Sequence, residues 1–78
     1  MSEALQRVAT EWFEVRAGRI RVVKGHPAHS RLNELRKVFQ GQACPAITAF
    51  WITRDKRIHF KPNFPAGLRQ QVREIVIP

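Results

Sequence analysis

Residues 50–60, from Phe50 to Phe60, read FWITRDKRIHF, and their parity decides the fold. Phe50, Ile52, Ile58 and Phe60 fall on one side of a pleated ribbon, and Trp51, Thr53, Arg57 and His59 fall on the other. Pairing Phe50 with Phe60 and Ile52 with Ile58 requires an odd loop, which Arg54, Asp55 and Lys56 supply, so the stretch is a β-hairpin. The same register sets Trp51 against His59 and leaves a large aromatic on the polar side.

An earlier stretch, EWFEVRAGRIRVVK from Glu11 to Lys24, predicts a second hairpin. Phe13 and Val15 have one parity and Ile20 and Val22 the other, as an even loop demands, with Ala17 and Gly18 at the tip. Val15 then opposes Ile20, Phe13 opposes Val22, Glu14 meets Arg21 as a cross-strand charge pair, and Trp12 meets Val23.

A helix signal follows each hairpin. In GHPAHSRLNELRKVFQG, Pro27 is placed at the first helical position, Ala28, Leu32, Leu35 and Phe39 form an apolar side, and Gly41 is the stop. In NFPAGLRQQVREIV, Pro65 opens the helix, Leu68, Val72, Ile75 and Val76 form the stripe, and Gly67 weakens the first turn. Phe13 maps onto Phe50, Val15 onto Ile52, Ile20 onto Ile58, Val22 onto Phe60, Pro27 onto Pro65, Leu35 onto Val72 and Val38 onto Ile75 at a nearly constant offset. Either a ββα unit is duplicated or two hairpin-helix segments obey the same patterning rules. Both give a ββαββα pseudo-repeat of the α+β class: one four-stranded antiparallel sheet with two helices on its apolar face.

At 78 residues the chain is read as one domain, with a first unit over 11–41 and a second over 46–77. The loop QACPA separates them. Residues 1–10 are either a short helix, with Ala4, Leu5 and Val8 on its apolar side, or a lead-in. No apolar run approaches a membrane span or a secretory leader, and a lone Cys44 leaves no internal disulfide, so a cytoplasmic protein with no membrane partner is expected.

The residues that could carry chemistry are sparse. His26, His29, His59 and Cys44 lack a second closely spaced pair to complete a zinc site, and HPAH reads as helix-start punctuation, so no metal is expected. No nucleophile stands with a base and an orienting group, and the glycines are scattered rather than gathered into a phosphate loop. The reading is a non-enzymatic chain without catalytic residues, cofactor or evident small-molecule substrate.

Phe13-x-Val15, Gly18-x-Ile20, Lys24-Gly25, Pro27, Phe60, Pro65, Gln71 and Arg73 form a skeleton that resembles a family of short proteobacterial proteins classed as a domain of unknown function. The resemblance covers residues 13–76 and implies no catalytic or binding residue. Members often begin with a hydrophobic anchor, where this chain has MSEALQRVAT.

What stands out is the outer face of the sheet. With the helices on the Phe13 side, the other side displays Trp12, Arg19, Arg21, Trp51, Arg57, His59 and Lys61 as candidate binding residues. A net charge of +8 and aromatics interleaved with cations lead to the working expectation of single-stranded nucleic-acid binding, with bases on the rings and phosphates on Arg and Lys. The alternative is a protein-interaction or homodimerisation surface, for an acidic protein or a second copy, on the same Trp/Arg face. A lid formed by the N-terminal segment is a third way to cover the tryptophans.

Overall fold

The computed structural model describes residues 8–42 and 46–76. Strand β1 (Ala9–Arg16) and strand β2 (Arg19–Lys24) form the first hairpin, followed by helix α1 (His29–Phe39). Strands β3 (Ile47–Thr53) and β4 (Ile58–Phe60) form the second, and a 3-10 turn over Ala66–Leu68 leads into helix α2 (Arg69–Val76). The sheet is antiparallel throughout, in the order β2-β1-β3-β4, so each hairpin contributes one central and one edge strand. The α+β class with a four-stranded antiparallel sheet and two helices is as the sequence predicts.

The hairpin registers follow the parity argument. Phe13 pairs with Val22 and Val15 with Ile20, while Phe50, Trp51 and Ile52 pair with Phe60, His59 and Ile58. At the first tip Ala17 (φ 50°) and Gly18 (φ 78°) both lie in the left-handed region, the two-residue turn whose twist matches the strands. At the second, Lys56 (φ 63°) takes the left-handed position of a three-residue loop, and its N–H donates to the Thr53 carbonyl at 2.9 Å.

All five phenylalanines gather on the inner face. Phe13 and Phe50 stack across the central strands, with centroids 4.9 Å apart, and Phe64 meets Phe50 edge-on at 5.8 Å. Leu35, Val38 and Phe39 from α1 and Leu68, Val72 and Val76 from the second helical segment close this core. Phe64, just before Pro65, is buried although the helical stripe does not contain it. Thr48 is buried too, its hydroxyl donating to the Asn63 side-chain oxygen at 2.8 Å, which satisfies it.

Four local expectations are corrected. Helix α1 begins at His29, since Ala28 holds an extended cap (ψ 143°) and its carbonyl accepts the first helical bond from Leu32; Pro27 therefore precedes the helix, and Ala28 is exposed. Pro65 is likewise a cap, its carbonyl accepting from the Leu68 N–H at 3.1 Å in the 3-10 turn. The first strand starts at Ala9, ahead of Glu11, so part of the expected lead-in already belongs to the sheet; its residues 1–7 lie outside the described residues, as does Cys44. Finally, Trp12 pairs with Lys24, because an irregularity between Trp12 and Phe13 leaves Val23 as the extra residue on β2.

Candidate functional site

Two register irregularities shape the outer face, one with its extra residue on β2 at Val23 and one with its extra residue on β1 at Thr10. Between Ala9 and Glu11 the register with β3 shifts, so Ala9 faces Thr53 and Glu11 faces Ile52. The extra residue reverses the parity, and Ala9 joins Trp12 and Ala49 in a small outer cluster with Trp51 packed against it. Glu11 shares the parity of Phe13 and stays on the helix side, where Arg31 of α1 lies 3.6 Å from its carboxylate. Gly25, with φ 92°, makes the matching close approach: a Cβ there would sit 2.7 Å from the Glu11 side chain and 2.8 Å from the Thr10 carbonyl.

The candidate residues separate by burial. Arg19, Arg21, Arg57 and His59 are exposed, Trp51 and Lys61 are half-buried, and Trp12 is 0% exposed. The expectation that Trp12 is displayed is therefore corrected: its ring is an interior element, and its buried indole N–H has no hydrogen-bond partner among the described residues. Sequence parity places Trp12 on the outer face but does not reveal that Trp51, Ala9 and Ala49 close around it.

The rings stand in a rack. Trp12, Trp51 and His59 are cross-strand neighbours on β1, β3 and β4. Trp12 and Trp51 lie 4.4 Å apart with planes 5° from parallel, and Trp51 and His59 lie 5.8 Å apart at 14°. Two indoles cannot lie flat side by side at 4.4 Å, so they face each other and present their edges outward. Both faces of Trp51 are engaged, one by Trp12 and the other by His59, which ends the rack on the edge strand.

His59 is held by a short chain of polar contacts. Its Nε2 lies 3.3 Å from the Thr53 hydroxyl, which also contacts the Asp55 carboxylate. The carboxylate can only accept, so the hydroxyl proton goes to Asp55 and its oxygen accepts from His59, which assigns the imidazole proton to Nε2. The Thr53 hydrogen bond is the chief cause that holds the Asp55 carboxyl below its ordinary value; desolvation opposes it, and the Arg57 backbone N–H and guanidinium add smaller lowering contributions. Arg57 Nε lies 3.3 Å from the same carboxylate.

The next row across the sheet is Arg21, Glu14, Ala49 and Lys61. Glu14 opposes Arg21 as expected, but its ion pair is to Arg16, at 3.7 Å. Among the described residues, Arg19, Arg21 and Lys61 have no carboxylate within ion-pair distance. On the far side of β4, the guanidiniums of Arg69 and Arg73 lie over the Phe60 ring at 5.3 and 5.2 Å. The sequence reading does not select this pair as a binding group; its signal is the i, i+4 spacing that puts both on one side of α2. Arg57, Ile58, His59 and Arg73 line an open hollow at this edge.

Among the described residues no three of His, Cys, Asp and Glu come together as a metal site, and no helix is long and apolar enough to cross a membrane. No family model, curated protein or solved structure matches the chain.

Proposed function

We propose that this chain is a small non-enzymatic module that binds single-stranded nucleic acid along the outer face of its sheet, mainly through phosphates. The observation that carries this reading is the set Arg19, Arg21 and Lys61, gathered on one face with no carboxylate of the described residues within ion-pair distance and joined there by Arg57, which is paired with Asp55. Cations without acidic partners on a protein of net charge +8 favour a polyanion, since each phosphate they neutralise releases condensed counterions. The ring rack changes how bases take part. With the Trp12 and Trp51 faces occupied, the sheet cannot stack a run of bases, so binding tolerant of sequence and dominated by charge is the better fit. The cytoplasm, where the lone Cys44 stays reduced, is the proposed compartment.

The test is fluorescence anisotropy of a labelled single-stranded oligonucleotide over a range of salt. Binding that persists near physiological salt supports the reading. Arg19→Gln, Arg21→Gln and Lys61→Gln should each weaken it and make the log K against log salt slope shallower by about one. No binding near physiological salt, or three variants with wild-type slopes, overturns it.

A second reading has one observation of its own. Val23 (36% exposed) and Ile47 (42%) present apolar surface on the sheet face that also carries half-buried Trp51, as a protein interface would. A two-fold pairing of this face has to place its unneutralised arginines near those of the partner copy, which opposes it at low salt. Sedimentation mass decides: a dimer that tightens with salt and dissociates in Ile47→Asp favours the interface, and a monomer at all salt concentrations favours nucleic acid.

A further inference from the structure

The ring rack must end somewhere, and it ends on His59. Trp12 and Trp51 cover one another, Trp51 covers one face of His59, and β4 is the edge of the sheet. His59 is exposed, its orientation set on one side by Trp51 and along its rim by Thr53. Among the described residues, its remaining face is the one place where this row of three rings can be continued by a ligand. The open hollow beside it carries Arg57 and Arg73, and no carboxylate of the described residues lines it. Arg73 is held against the Phe60 ring at 5.2 Å, a contact that positions the guanidinium without neutralising it. Arg57 is paired through Nε with Asp55, and its guanidinium has five N–H donors, more than that one contact uses.

We infer that this edge is a one-nucleotide subsite: a base stacks on the outer face of His59 and its phosphate lies between Arg57 and Arg73. The inference rests on the nucleic-acid reading and names where along the sheet the strand is gripped. A planar ring with one free face, next to two guanidiniums on different elements, matches a group that is flat and apolar at one end and doubly acceptor-rich at the other. An acidic peptide would satisfy the arginines but would leave the ring uncovered. Only one base is gripped, because the other ring faces are occupied.

The experiment uses the full chain with four probes: a short single-stranded oligonucleotide, adenosine monophosphate, adenosine and inorganic phosphate. The readouts are the His59 ring-proton NMR shifts and binding affinity. Adenosine monophosphate should move the His59 ring protons upfield through ring-current shielding, and should bind better than adenosine or phosphate alone. His59→Ala should weaken oligonucleotide binding about tenfold, while His59→Phe, which keeps a stackable ring, should restore it. Arg73→Gln should weaken both oligonucleotide and monophosphate and flatten the salt slope by about one.

If His59→Ala and Arg73→Gln bind the oligonucleotide as wild type does while Arg21→Gln does not, the subsite is wrong and the nucleic-acid reading survives. If no oligonucleotide binds but the monophosphate still shifts His59, the hollow is a free-nucleotide site and the strand-binding reading falls instead. Equal affinity for phosphate and monophosphate would remove the stacking half of the inference.

Discussion

Trp12 and Trp51 face each other across β1 and β3, with ring centroids 4.4 Å apart and planes 5° from parallel, and only the second of them reaches solvent. The consequence is a division of labour on one sheet face. Trp12 belongs to the structural interior, Trp51 is stacked between its two neighbours, and His59 is the exposed ring at the end of the row.

Stability should separate the two tryptophans. Trp12→Ala should cost about 3 to 5 kcal/mol, as for a fully buried aromatic, and Trp51→Ala about 2 to 3 kcal/mol, since a smaller part of its surface is already wet. Trp12→Phe should be close to neutral, because relieving a buried unpaired N–H, worth about 1 to 3 kcal/mol, offsets the smaller ring. Urea unfolding measures all three, and a Trp12→Ala midpoint equal to wild type would mean the ring is not interior.

The inner face gives a sharper contrast. Phe50 contacts Phe13, Phe39, Phe60 and Phe64 in the centre of the core, so Phe50→Ala should lose about 3 to 5 kcal/mol. Arg16, with 67% of its side chain exposed, should tolerate Ala within about 0.5 kcal/mol. Equal urea midpoints for the two variants would mean that the faces are reversed.

Backbone geometry predicts changes of opposite sign. Ala17 holds φ 50° at the first position of the hairpin turn, where Asn is favoured, so Ala17→Asn should stabilise by about 0.5 to 1 kcal/mol. Gly25→Ala should destabilise by about 1 to 3 kcal/mol, since its Cβ would meet the Thr10 carbonyl at 2.8 Å in a left-handed backbone. Thermal melts of both variants test the pair together.

The Asp55 carboxyl should respond to acid in a direction fixed by its hydrogen bonds. Its folded pKa lies below the ordinary 3.8, so the folded state favours the carboxylate. The resulting stabilisation is fully present above pH 3.8 and is lost as pH falls through the lower folded-state value. Thr53→Val removes the largest cause and should move the Asp55 carboxyl titration, followed by NMR, back toward 3.8. A titration unchanged by that substitution would show that Thr53 does not hold the carboxylate.

Local rules account for the legible part of this molecule. In FWITRDKRIHF and EWFEVRAGRIRVVK, side chains alternate with period two and loop length sets the pairing, so Phe50 opposite Phe60 and Val15 opposite Ile20 follow from the chain alone. The inner positions Phe13, Leu35, Phe50 and Val72 follow from the same periodicities, as do two helices on one face. Phe64 escaped because it belongs to a loop, where no period marks an inward residue.

The sequence by itself determined the two hairpins, their inward faces and the order of elements, because those depend on residues a few positions apart. The tertiary structure decided that β1 lies beside β3 and with what register, and no short-range pattern encodes that offset. From that pairing come the shift at Ala9 and Glu11, the burial of Trp12, the stacking of three rings across three strands, and the free face of His59 at the edge. Two guanidiniums over Phe60 depend likewise on where α2 crosses β4. Contacts between segments distant in sequence are chosen by the packing of the whole core, which is why the inner face could be read in advance and the outer face could not.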